Sequence, residues 1–203
     1  MAPTIILIRH AQALHNVNDD WGIFDPALTE KGIEQCQSLE AQLGKDFPYS
    51  KEKCRIVVSP STRTLQTVRH SLQWLIDHGV PVDVRAEWQE STAKPCDTGS
   101  ERSKIEREWP DFDFSNLDPV YPQKTGLYGP SEESVQTRAA VERQWLSKQA
   151  DECIVVVTHS GFLRRVVPGA RFKNVEYRKY EVVIDGSNVR LSELSQVVLK
   201  EST

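Results

Sequence analysis

Two short apolar runs, Ile5-Ile6-Leu7-Ile8 and Ile154-Val155-Val156-Val157, constrain this chain more than any other feature. Both are rich in β-branched residues, lack the polar alternation of a strand with one wet face, and end abruptly in polar residues. Such runs read as strands buried on both faces, as in a parallel sheet covered by helices on either side. Residues 55–59 and 82–85 are further strand candidates, and 180–184 is a late one ahead of the Asp185-Gly186 turn signal. Helical stripes lie between them. Ile33, Cys36, Leu39 and Leu43 follow Thr29 as N-cap; Leu65, Val68, Leu72, Leu75 and Ile76 follow Ser61; Val135, Ala139, Trp145 and Leu146 fall within 131–149. The alternation predicts an α/β fold, a three-layer α/β/α sandwich with a mostly parallel central sheet.

The 203 residues suit one domain spanning 1–203 and are too few for two of ordinary size. Residues 90–130 interrupt the alternation with a polar, proline-dotted stretch carrying Trp109, Phe112, Phe114, Tyr121 and Tyr128. It reads as a lid-like insertion over a site. Thr98-Gly99-Ser100-Glu101 fits a capping box, and Pro110 a stop, for one short helix inside it. Lys94, Arg102, Lys104, Lys124 and Tyr128 are candidate contacts to a phosphorylated substrate, yet each taken singly reads as solvated. The tail with Val197-Val198-Leu199 fits an edge strand or a packed extension.

Charge and composition exclude several functions. With 25 Lys+Arg against 29 Asp+Glu, a net charge of −4 argues against nucleic acid or an anionic membrane as partner. No apolar run approaches the roughly 20 residues of a bilayer span. The first residues lack the basic n-region of a secretory signal, so a cytoplasmic chain is expected. Cys36, Cys54, Cys96 and Cys153 are scattered and read as free thiols, with neither a disulfide framework nor a metal site.

In open α/β sheets ligands bind beyond the carboxyl ends of the strands, near the point where strand order reverses. The two apolar runs deliver Arg9-His10 and Thr158-His159-Ser160-Gly161 at that end, and the third strand leads through Ser59-Pro60 to Arg63. Two guanidinium forks and two imidazoles converging there would bind a phosphoryl group. A neutral imidazole near pH 7 can attack phosphorus and form a phosphohistidine that water later cleaves.

These residues, with Asp25-Pro-Ala-Leu-Thr29 and Gly32, Gln66-Thr67 and Glu90, resemble the histidine phosphatase superfamily, also called phosphoglycerate mutase-like. The resemblance implies His10 as phosphoryl acceptor, Arg9, Arg63 and His159 as phosphate pocket, and Glu90 as proton donor to the leaving oxygen. It places Asn16 where a pocket hydrogen bond is often added, and Ser160 in the phosphate pocket as well. Ala11 and Gln12 stand where the best-known members have Gly and Glu; the Ala11 N–H would still serve the phosphate, and Gln12 would alter substrate choice. His15 reads as a surface histidine or an entrance residue. The arginine- and tyrosine-rich insert of true mutases is missing, so hydrolysis is expected over transfer.

The expected function is a metal- and cofactor-independent phosphomonoesterase acting on a small phosphorylated molecule through phospho-His10. The rivals are a mutase-like phosphotransferase and a catalytically silent phosphate-ester or phosphoprotein binding module. Monomer and homodimer are both open, residues 180–184 offering an edge for pairing if they lie outermost.

Overall fold

The computed structural model describes residues 2–45, 47–169 and 171–197. Strands β1 (Thr4–Arg9), β2 (Cys54–Val58), β3 (Val82–Val84) and β4 (Cys153–Thr158) pair in parallel, while β5 (Tyr177–Asp185) and β6 (Asn188–Val197) extend the sheet as an antiparallel hairpin. The spatial order is β3-β2-β4-β1-β5-β6. Side chains alternate across each strand, and both faces of β1, β2 and β4 are dry, while the β5–β6 hairpin is partly exposed. Ile6, Ile8, Ile56, Val58, Val155 and Val157 pack on one face, and Ile5, Leu7, Val57, Ile154 and Val156 on the other.

Helices α1 (Glu30–Lys45) and α2 (Thr62–Ser71) cover the first face with Cys36, Leu39, Leu43, Leu65 and Val68. The short helices α3 (Gln73–Ile76) and α4 (Arg102–Glu108) follow in the chain. Helices α5 (Glu132–Ser147) and α6 (Ser160–Val166) cover the second face with Val135, Ala139, Leu146, Phe162 and Leu163. The three-layer α/β/α reading therefore holds. Thr29 caps α1 as expected, its hydroxyl oxygen accepting from the Gly32 N–H at 3.0 Å. The stripe after Ser61 is not one helix: it breaks at Leu72, and α3 follows as a separate turn.

One expectation is corrected and two open alternatives are resolved. The capping box at Thr98 does not form: Glu101 is the N-cap of α4 without a side-chain bond, because the Thr98 hydroxyl donates to the Lys94 carbonyl and Ser100 donates to Asp25. Residues 180–184 are not an edge, because the turn at Gly186 folds β6 back along β5 and places β5 inside the sheet. The tail is a strand as far as Val197, while Val198 and Leu199 lie outside the described residues.

The 90–130 segment is anchored rather than loosely draped. Phe112, Phe114, Tyr121 and Tyr128 are buried in the same core cluster as Ile56 and Val58. Asp113 exchanges backbone hydrogen bonds with Val82 and Val84, covering the open edge of β3. The polar residues that made this segment read as loop alternate with aromatic anchors, a pattern without helical or strand period.

Gly32 is where α1 meets the loop after β1, and a Cβ there would collide with the Gln12 carbonyl oxygen. Backbone cannot rotate out of the way as a side chain can. Gly32→Ala is expected to destabilise the fold by about 1–3 kcal/mol, read as a lower urea midpoint with unchanged slope; an unchanged midpoint would contradict this packing.

Candidate active site

Strand register assembles the site. Arg9 lies opposite Thr158 in the β1–β4 pair, and the His10 N–H donates to the Thr158 carbonyl at 2.9 Å. His10 and His159 therefore leave adjacent strands side by side, their ring centroids 5.2 Å apart. Ser59 follows β2 on the other flank of β4, and Arg63 comes from the first turn of α2.

The Arg63 guanidinium is buried and joins the two rings. Its Nε–H donates to His10 Nε2 at 3.2 Å, and its terminal nitrogens donate to His159 Nδ1 at 2.9 Å and to the Cys96 carbonyl at 2.6 Å. An arginine only donates, so both ring atoms are acceptors and the tautomers follow. His10 carries its proton on Nδ1, facing the Ala11 carbonyl at 2.7 Å. His159 carries its proton on Nε2, facing the Ser59 hydroxyl at 2.8 Å. Burial, and then the charge of Arg63, hold both imidazoles well below the usual histidine range. Arg9 also acts on His10, and its Nε is buried with no hydrogen-bond partner, while one terminal nitrogen donates to the Phe172 carbonyl.

Glu90 reaches the site from the start of the 90–130 segment. One carboxylate oxygen accepts from the Ser91 N–H and hydroxyl at 2.6 and 2.9 Å, the other from the Gly161 N–H at 2.9 Å. A Cβ at Gly161 would sit 2.8 Å from the Glu90 carboxyl carbon, so the glycine makes room for this approach. Buried Arg138 holds the chain around it, donating to the carbonyls of Glu87, Gln89 and Glu90. Ser160 opens α6 and is partly buried.

Several sequence readings change. Both groups of the Asn16 amide are used within its own loop, accepting from the Ala13 N–H and donating to His15 Nε2 at 2.9 Å. The Ala11 N–H is taken by the Thr67 hydroxyl, and the Gln12 side chain by Thr29. Asp25 accepts from Thr62 and Ser100, and Gln66 from the Leu28 N–H, so these motif residues brace the loops around the pocket. His15 is buried at 3% exposure, not on the surface. Lys124 is half-buried: its ammonium donates to the Glu90 carbonyl at 3.1 Å, and burial, then Arg138, bring it down to about 7.

Tyr128 is buried against Asp118, and Arg102 holds the Phe114 and Leu117 carbonyls. Lys104 reaches the Ser100 hydroxyl. The sequence reading missed Asp97, which lies 3.4 Å from Arg63. Burial, and then the nearby Glu90, push its carboxyl above the usual range. No motif marked it. Beside the segment lies a cavity of about 280 Å³ walled by Phe24, Ala93, Thr98, Gly99 and Lys124.

Comparison with known proteins gives the family. Residues 5–195 match the histidine phosphatase superfamily (branch 1), and the chain belongs to that family. A Schizosaccharomyces pombe protein named probable phosphatase is 30% identical over 168 residues, covering 79% of this chain and 76% of that one. Among solved structures, a phosphoserine phosphatase of Entamoeba histolytica in complex with phosphoserine shares 19% identity, with a TM-score of 0.58 and 96% of each chain covered. A phosphoglycerate mutase of Bacillus anthracis shares 17%, with a TM-score of 0.57, covering 95% of this chain and 92% of that one. At these identities the two structures speak for the fold. Among the described residues, no helix is long and apolar enough to cross a membrane.

The depressed imidazoles make stability depend on pH. The unfolded chain protonates His10, His15 and His159 below about pH 6.5, whereas the folded chain resists. Their contribution is thus full above about pH 6.5 and is lost progressively as pH falls from there toward the lowered folded-state values. Between about pH 7.5 and 5.5, His159→Gln should lose roughly 1 kcal/mol less unfolding free energy than the unmodified chain; equal losses in urea titrations would contradict the neutral, buried state of His159.

Proposed function

We propose that this chain is a phosphomonoesterase that hydrolyses a small phosphorylated molecule through His10, without help from a metal ion. One observation carries the reading: the lone pair of His10 Nε2 faces Arg63, the buried guanidinium that also binds His159. A phosphate ester entering there offers its oxygens to Arg63 in place of the two ring nitrogens, releasing His10 Nε2 toward phosphorus. The unpartnered Nε of Arg9 is a second donor for the same anion.

In the first step His10 Nε2 bonds to phosphorus as the ester P–O bond breaks. The leaving oxygen takes a proton from the Glu90 carboxyl. The product is a phospho-imidazolium, whose Nδ1–H remains on the Ala11 carbonyl and stabilises the new positive charge. In the second step Glu90 takes a proton from water, the water oxygen bonds to phosphorus and the P–N bond breaks. Inorganic phosphate leaves, with His10 neutral and Glu90 protonated again. Arg9, Arg63 and His159 meet the charge spread over the transferring group. Asp97, raised by burial and then by the nearby Glu90, accepts from Arg63 and from the Thr92 hydroxyl and so supports the Arg63 fork. Residues 90–130 act as the rim of this site within one catalytic domain, contributing Glu90, Asp97 and Lys124. The Schizosaccharomyces pombe relative named probable phosphatase supports hydrolysis as the reaction.

Two experiments test this function. Phosphate release from a panel of phosphomonoesters, run with a chelator, should persist in the unmodified chain and vanish in His10→Ala; a tenth of the original rate surviving in that variant, or none in the unmodified chain, contradicts it. In kcat/KM, which reports the first step and not the cleavage of phosphohistidine common to both esters, Glu90→Gln should slow an alkyl phosphate about 100-fold and p-nitrophenyl phosphate far less, since nitrophenolate leaves without a proton. Equal slowing of both esters would remove Glu90 from the role of acid.

A further inference from the structure

Five residues past His10 the chain turns His15 into the same site. Its ring centroid lies 5.8 Å from that of His10 and 5.8 Å from that of Trp21, so three rings form a ladder outward from the proposed phosphoryl acceptor. Asn16 fixes the His15 tautomer. The Asn16 oxygen accepts from the Ala13 N–H, so its NH2 faces His15 Nε2, which must accept. The ring proton is therefore on Nδ1, a buried atom with no hydrogen-bond partner. Burial, then Arg63 and Arg9, hold His15 down to about 4, so the ring is neutral near pH 7. A buried N–H donor left unpaired is costly, and such groups in folded proteins call for an explanation.

The outer end of the ladder is equally unusual. Trp21 is 42% exposed and Phe24 57% exposed, in a loop that also exposes Leu14 and Val17. Four large apolar side chains exposed within eleven residues of one loop offer apolar surface to a ligand. This loop is tied to the site rim, since the Cys96 N–H donates to the Trp21 carbonyl and the Cys96 carbonyl receives Arg63. Lys94 lies over the indole at 4.9 Å from its centroid, steadying one ring face.

We propose that His15 and Trp21 form a leaving-group subsite: the His15 Nδ1–H donates to an oxygen of the bound phosphate ester, and Trp21 packs against a flat, largely apolar alcohol moiety. The proposal rests on the phosphatase reading above and narrows its substrate class to phosphomonoesters of aromatic or similarly flat apolar alcohols. The occupant is set by continuity: one end of the ladder is the proposed phosphoryl acceptor, the other an exposed indole.

The test uses 1-naphthyl phosphate and ethyl phosphate as probes. Trp21→Ala should lower the naphthyl-to-ethyl ratio of kcat/KM about tenfold, the worth of one buried aromatic contact. His15→Phe keeps the aromatic wall and removes the donor, so kcat/KM should fall about tenfold on both esters while the ratio stays. Ile184→Ser, an exposed apolar residue of the β5–β6 hairpin, is the control and should leave the ratio alone. An unchanged ratio in Trp21→Ala, or a ratio in His15→Phe that drops as far as in Trp21→Ala, overturns the proposal. Calorimetric binding of 1-naphthylmethylphosphonate, weakened by Trp21→Ala, needs no turnover. If that binding holds while neither ester is hydrolysed, the phosphatase reading fails and the subsite stands; if hydrolysis proceeds without Trp21 dependence, the subsite fails alone.

Discussion

Arg63 makes bonds at the centre of the site that no other side chain could make together. Its Nε–H fixes the acceptor lone pair of His10, a terminal nitrogen fixes that of His159, and the rest of the fork holds the Cys96 carbonyl and Asp97. A lysine would offer a point charge without the planar fork needed to set two imidazole tautomers at once. Burying this cation among neutral rings is costly, and much of the surrounding architecture offsets that cost. The Cys96 carbonyl, the Asp97 carboxyl and the extended β4–His159 segment are all held in place by parts of the chain distant in sequence.

Those parts are held by close approaches that leave little tolerance. The loop after β1 crosses α1 where Gly32 has no side chain, and Glu90 reaches the α6 backbone where Gly161 has none. Asp25 ties the start of α2 to Ser100, and Tyr121 reaches the Pro60 carbonyl, so the loop after β2 is clamped from two directions. Loops at the carboxyl ends of parallel strands become rigid only through such cross-bracing.

Much of this was readable in the sequence. The runs at Ile5 and Ile154 announce two doubly buried strands because continuous apolar residues have no other place in a chain of this charge, and the His residues after them fall at the ligand-binding end of such a sheet. Arg63 was visible through its position one turn into the helix after Ser59-Pro60. Burial of single polar residues was not readable. His15 and Lys124 sit among loop residues with no period, so their desolvation depends on contacts from Trp21, Arg138 and the 90–130 segment that only the folded chain brings together. Asp97 was hidden for the same reason. Whether 180–184 lay at the edge or inside the sheet stayed open because a tight turn with an extra strand beyond it looks, locally, like a terminal strand with a tail.

The account stands on a covalent bond between His10 and the transferred phosphoryl group. Rapid acid-free quenching of the enzyme during turnover, followed by peptide mass spectrometry, should find a single phosphoramidate on His10 that is stable to alkali and labile to acid, and none in His10→Ala. Turnover of the ester with no phosphate ever trapped on His10, or with phosphate trapped on His159 or His15 instead, would contradict it.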